Sequence, residues 1–410
     1  MKKKNSNFIY GFILTVLMIS CQNSQKNTTT VPIVLDHNRM LVEVEIQRCD
    51  STWRKVLLWV DSGNPYMNIS ESLAIDLGLD LSRAKDTSFK ESRLIVPTPK
   101  SLRINGMNLN TDSVYTMVLF QPFWLFSTMH CDGNLPSSIL KKYHIVIDYP
   151  KKELTIAEPK SLSPRGTKSN AYIHPETGIV CLDASIDGDS LCFALDMGAS
   201  YSFISEDILL NYANKYPNWP RVTGTLGCAN MWGWWPANEQ NFPVVRVPQI
   251  KWGNELFNSI GLVGVLKFSP NGPTLGEWYS RKTAKPVVGF IGPNALKNYR
   301  VEIDYANSQI YFEKSGEPDM KEMDMVGISV RQLPDSTYQV VGNVQVDGKP
   351  VVTGIDSGDI IISIDGWHVK GETMGNVVDR LRGTPDEIRR IVLRRDGVEK
   401  VIESKVTHFL

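Results

Sequence analysis

The 410-residue sequence is poor in the side chains that hold metals or cross-links: it has six cysteines and six histidines. Neither type falls into CxxC pairs or metal-ligand spacing, which argues against a zinc site and a disulfide framework. Five cysteines follow Cys21, namely Cys49, Cys131, Cys181, Cys192 and Cys228. That odd set reads as buried free thiols, although Cys181 and Cys192 fall on one candidate hairpin. There is no net charge either, with 44 Lys and Arg against 44 Asp and Glu. Without a basic excess or patch, nothing points to nucleic acid. A Gly-Asp-Ser-Gly-type nucleophile segment with a partner histidine is also missing, which disfavours serine-nucleophile chemistry.

The N-terminal apolar run, Phe8 to Ile19, is about a dozen residues long. At ~1.5 Å per residue it is too short to cross a ~30 Å hydrocarbon core as a helix. Behind Lys2, Lys3 and Lys4 it reads as a secretory signal. The run ends Leu17-Met18-Ile19-Ser20-Cys21 and a polar stretch follows. That ending resembles the bacterial lipobox and implies lipidation of Cys21, with residues 1–20 as signal and 21–30 as linker. The expected location is the bacterial cell envelope, anchored to the membrane on the periplasmic side of the outer membrane. Several acyl chains would give the stable anchoring that one does not.

What is present is a duplication. Asp61-Ser62-Gly63-Asn64-Pro65-Tyr66-Met67-Asn68-Ile69-Ser70-Glu71 aligns without gaps on Asp196-Met197-Gly198-Ala199-Ser200-Tyr201-Ser202-Phe203-Ile204-Ser205-Glu206. A second block, Leu140 to Tyr149, aligns on Leu296 to Tyr305 in the same order. The first blocks are 135 positions apart and the second 156, so the second copy carries about 21 more residues between its blocks. In each copy an apolar strand, Val56 to Val60 or Leu191 to Leu195, runs into the Asp. The Gly two residues on permits a sharp turn. Ser70 and Ser205 are candidate N-caps for helices over Glu71 to Leu77 and Glu206 to Tyr212. The later Ile-Asp-Tyr segments predict hairpins, with Asp148 and Asp304 forming the turns. Both copies are expected to be mainly β lobes, over residues 31–158 and 159–315.

Lys314 to Glu322 is polar, with Gly316 and Pro318, and reads as a linker. Residues 323–406 then show strands around Ile328 to Gln332 and Gln339 to Val346, an apolar strand ending at Asp365-Gly366, a helix over Met374 to Leu381, and a strand ending at Asp396-Gly397. This pattern resembles a bacterial PDZ domain. The resemblance implies a carboxylate-binding loop at Val326, Gly327 and Ile328, and a groove that accepts peptide C-termini as an added strand. A module that packs on its neighbour and binds nothing is the alternative.

The paired Asp-Ser-Gly and Asp-x-Gly-Ala blocks, with Gly133-Asn134-Leu135 and Gly289-Phe290-Ile291-Gly292, resemble the retropepsin-like aspartic peptidases over about Val31 to Glu313. The resemblance implies that Asp61 and Asp196 meet between two β-barrel lobes as a catalytic dyad. Ser62, Gly63, Asn64, Gly198 and Ala199 would support them, Asn64 as a donor to Asp61 or equally as a turn residue; the substrate would be a polypeptide, and no metal or cofactor would be needed. Two carboxylates that close share one proton, as the aspartic proteases themselves illustrate. Three departures from the family pattern stand out. Met197 replaces a bracing hydroxyl, and Pro136 stands where the second copy has Gly292. Only the second copy has a glycine-bearing flap candidate, Gly224 to Trp235, against Phe89 to Lys100 in the first. Trp232, Trp234 and Trp235 would line pockets or belong to the core. The departures also motivate a second expectation, a catalytically silent lipoprotein that holds peptides.

Overall fold

The computed structural model describes residues 26–83, 85–86, 93–119, 131–224, 242–267 and 271–410. The signal segment, Cys21, Cys228, the three flap tryptophans and part of Phe89 to Lys100 lie outside them. The described chain is mainly β. It forms two lobes that each close on a ten-stranded sheet, a six-stranded sheet that both lobes share, and a C-terminal module.

The lobes repeat one strand plan. In the first, the strand Arg39–Gln47 is buried on both faces up to Leu41 and alternates from Val42 on, with Val42, Val44 and Ile46 buried and Glu43 exposed. That is the period-2 pattern of a strand with one wet face. It pairs antiparallel with Trp53–Asp61, which also pairs in parallel with Cys131–Pro136. Met67–Ser70 returns on the other side of Cys131–Pro136, and Gly133 opposes Ile69. In the second lobe Asp189–Leu195 runs parallel to Gly289–Ile291, which Ser202–Ser205 flanks antiparallel. A two-residue Asp187-Gly188 turn, with φ of 52° and 85°, feeds the strand that leads to Asp196, as hairpin twist favours. Each lobe thus threads one strand between the two arms of the loop that carries its aspartate.

The duplicated hairpins form the shared sheet. His144–Asp148 pairs with Glu153–Ala157, Tyr299–Asp304 pairs with Gln309–Lys314, and His144–Asp148 and Tyr299–Asp304 join antiparallel at its centre. Asp148 and Asp304 accept from the Lys151 and Asn307 amides, each at 3.1 Å, and close the turns as expected. At the seam, buried His144 Nε2 lies 2.6 Å from Glu302 Oε1, and Arg300 Nη1 lies 2.5 Å from Glu302 Oε2. Desolvation favours the neutral carboxyl, but the His144 and Arg300 bonds outweigh it and hold Glu302 below its ordinary 4.5. A depressed carboxyl pKa contributes stability that is present above the unfolded value and lost as pH falls through the folded one. His144→Ala leaves Glu302 half-paired in the core. It is expected to cost on the order of 3 kcal/mol, read by chemical denaturation near neutral pH.

The helices differ in one detail from the sequence pattern. Ser70 Oγ accepts from Leu73 N and caps Glu71–Asp76. Ser205 does not cap Glu206–Lys215, because its hydroxyl is held by Gly276 N and Val288 O from elsewhere in the lobe.

The C-terminal module has the expected elements. Ile328–Gln332, Tyr338–Asn343, Ile360–Ile364, Ile388–Arg395 and Val398–Lys405 lie side by side, with the helix Met374–Leu381. It is not tethered loosely. Gln345 pairs with Thr223, so a hairpin of the module extends the second lobe's sheet. Gly375 N donates to Asp36 Oδ1 of the first lobe at 2.6 Å. The expected linker is pinned too, through Asp319 to Arg382 at 2.6 Å and Glu322 to Lys297 at 2.8 Å. One apolar core runs from Phe203 and Phe290 in the second lobe to Val340 and Leu393 in the module.

Candidate active site

Asp61 ends the strand Trp53–Asp61, and Asp196 follows Asp189–Leu195. Both are buried, with 6% and 8% of their surface exposed, so water cannot dissolve either charge fully. The turn glycines show how close the two carboxylates lie. A Cβ on Gly63 would sit 2.3 Å from Asp196 Oδ2, and one on Gly198 would sit 2.7 Å from Asp61 Oδ1. Each aspartate therefore rests against the glycine of the opposite lobe's loop. Residues 135 positions apart in sequence are brought together here.

Ser62 forms the expected brace. Its hydroxyl donates to Leu195 O at 3.0 Å and accepts from Met197 N at 2.9 Å. The Met197 thioether has no O–H with which to return such a bond, and its side chain is packed in the core instead. Asp196 Oδ1 accepts from Gly198 N at 2.9 Å and from Ala199 N at 3.2 Å. The Gly63 amide donates to the Asp61 carboxyl.

Asn64 takes the second of its two expected roles, that of a turn residue. Its Oδ1 accepts from Tyr66 N and closes a turn, while its carbonyl accepts from Ser137. The side-chain donor to Asp61 is instead Asn134, fully buried, whose Nδ2 lies 3.0 Å from Asp61 Oδ2. Asn134 is held in turn by Tyr66 O and by the Asn68 amide. The aligned position in the second lobe is Phe290, which has no donor. There Tyr279, on the helix Leu275–Ser280, packs on Phe290 and points its hydroxyl at the aspartate. Tyr279 Oη lies 3.0 Å from Gly63 O and 3.4 Å from Asp196 Oδ2. Sequence reasoning missed both residues. Asn134 was signalled as a polar residue inside an apolar repeat; Tyr279 lies between the second copy's two repeated blocks and had no such mark.

The electrostatics follow from this geometry. Desolvation, then the Asp196 charge, pushes the Asp61 carboxyl above its ordinary 3.8, against the Asn134 and Gly63 bonds and the Lys282 charge. Desolvation likewise raises Asp196, opposed by the Gly198 and Ala199 amides, the Tyr279 hydroxyl and Lys282. Both carboxyls are raised and titrate as one pair, with the donors Gly198, Ala199 and Tyr279 at Asp196 against Asn134 and Gly63 at Asp61.

The chain is similar over part of its length to known proteins. No family model matches it. The carboxy-terminal-processing protease of Bartonella bacilliformis is 29% identical over 119 residues, 28% of this chain and 26% of that protein. The chain thus spans about a quarter of that relative's length. The crystal structure of the aspartic proteinase from Irpex lacteus covers 70% of this chain and 97% of its own, at 12% identity and a TM-score of 0.39. The two-lobed reading rests on the strand pairing above and not on that superposition.

The expected carboxylate loop is already engaged. Val326 N donates to Leu381 O at 2.9 Å and Ile328 N to Val326 O at 2.7 Å. Thr407 and His408 pair with Met325 and Asp324, and a Cβ on Gly327 would lie 2.7 Å from the Phe409 ring. The edge strand Ile328–Gln332 is buried throughout, and Ser329 Oγ bonds Gly224 O. Of the two expectations for this module, packing on its neighbour is what these contacts show, through the shared core and the tail strand beside the loop. Among the described residues, no cluster of three or more His, Cys, Asp or Glu is placed to hold a metal.

Proposed function

We propose that this protein is an aspartic-type endopeptidase of the bacterial cell envelope, anchored through Cys21, with Asp61 and Asp196 as its dyad. The observation that supports this most is the reciprocal packing of each buried carboxyl against the other lobe's turn glycine. Two such carboxyls share a proton. The ionised one takes a proton from an attacking water. The protonated one hydrogen-bonds the scissile carbonyl oxygen. The C-terminal module is read as PDZ-like and as orienting polypeptide substrate. Capture of a peptide C-terminus at Val326, Gly327 and Ile328 would require Phe409 and the tail strand to leave.

One observation favours a second reading. Met197 leaves half of the usual hydroxyl brace missing, as in a binding protein that keeps the fold without the reaction.

The test is incubation of the chain from about Asn23 onward with a diverse peptide mixture from acidic to neutral pH. The peptidase reading expects a bell-shaped profile. Because both carboxyls are raised, its upper limb lies above the ordinary carboxylate range. Peptide retention without cleavage at every pH supports the binding protein.

A further inference from the structure

The second lobe lacks the side-chain hydroxyl that its sequence repeat should supply after the aspartate, yet a hydroxyl does reach the aspartate from elsewhere. We infer that Tyr279 is a positioning residue that supplies the cross-lobe O–H position 197 lacks: its single proton, shared between Gly63 O and Asp196 Oδ2, ties the second lobe to the first lobe's turn and favours the ionised form of Asp196. The inference rests on the peptidase reading.

Three observations carry it. Ser62 spends its one O–H on Leu195 O and accepts from Met197 N, so a second cross-lobe O–H has to come from another residue. Met197 has no hydroxyl, and Ala199 offers Asp196 only its amide. Tyr279 comes from the second lobe and reaches Gly63 O of the first, a cross-lobe hydroxyl contact at a different carbonyl from the one that mirrors Ser62's. Its position is also built, not incidental. A capping box, Thr274 with Glu277, fixes the start of its short helix. Its ring is 2% exposed and packs between Phe290, at 5.3 Å, and Trp278, at 5.8 Å. A phenol so deeply buried has its own ionisation pushed far up, so it remains a donor at every relevant pH.

The donor role has a definite sign. A hydrogen bond to the carboxylate favours the charged form, so losing it raises the Asp196 pKa. Among the described residues, Asp61, Lys282, Tyr149 and Cys181 also face these groups; none of them is moved by removing one hydroxyl, and Asp61 responds only through its shared titration with Asp196. The pair is asymmetric as a result. Asn134 serves Asp61 from the strand behind it, and Tyr279 serves Asp196 from a helix.

Tyr279→Phe keeps the ring packing and deletes only the hydroxyl. On a peptide that the protein cleaves, kcat is expected to fall about 10-fold with little change in KM. The acidic limb of kcat against pH should move up by about half a unit or more. Incorporating 3-fluorotyrosine at position 279 makes a stronger donor, and the limb should then move down. The same shifts are readable without turnover, as a ¹³C-carboxyl NMR titration of Asp196 in both variants. Superimposable titrations for wild type, Phe and fluorotyrosine forms overturn the inference. A wild-type protein that cleaves nothing overturns the peptidase reading alone, because the NMR arm still decides the role of Tyr279.

Discussion

Gly289→Ala and Gly133→Ala are each expected to destabilise the protein by about 3 kcal/mol or more. In each lobe a strand passes between the two arms of the aspartate loop, and the crossing has no room for a side chain. A Cβ on Gly289 would lie 2.0 Å from Phe203 O and 2.8 Å from Ile204 Cα; on Gly133 it would lie 2.2 Å from Asn68 O. The obstructing atoms are backbone atoms, fixed by pairing on both sides, so they cannot swing away. A whole domain is typically stable by only about 5–15 kcal/mol, so either substitution takes a large share. Gly261→Ala is the matched control. Its nearest neighbour would be the flexible end of Met323 at 3.2 Å, and a change within about 1 kcal/mol is expected. Denaturant midpoints for the three variants check the claim. Similar losses at positions 133 and 289, with none at 261, would mark the crossing as one structural device used twice.

The duplication was legible because the loop imposes residue types that no other local structure needs. An aspartate at a strand end, a glycine two positions on and a glycine in the crossing strand recur with a matching register, Leu58 against Gly133 and Phe193 against Gly289. Ser62 was legible for the same reason. The donors that distinguish the two carboxyls were not. Asn134 departs from the repeat, and its meaning depends on which way a strand side chain points. Tyr279 is 83 residues from Asp196 and reaches it only through helix packing. The module's strands and helix were readable from alternation and from Asp-Gly turns. The pairing of the tail beside the expected loop was not, since a contact between His408 and Asp324, 84 residues apart, leaves no local signal.

Asp61→Asn and Asp196→Asn, made separately, carry the largest expected effect on activity. Under the proposed mechanism either removes one member of a pair that acts as a unit, and cleavage should fall by about 10³-fold or more. Unfolding is not the expected cause. A carboxyl whose pKa is raised by folding stabilises the native state below the unfolded value near 3.8, and that contribution is lost as pH rises through the folded value. At neutral pH the buried charge is thus a liability, and a neutral amide in its place should leave stability equal or higher. The decisive measurement is the cleavage rate of one susceptible peptide by wild type, Asp61→Asn and Asp196→Asn, with each protein's unfolding midpoint at the same pH. The account predicts cleavage by wild type alone, with all three midpoints at or above the wild-type value. Cleavage that survives either substitution at more than a few per cent would contradict it.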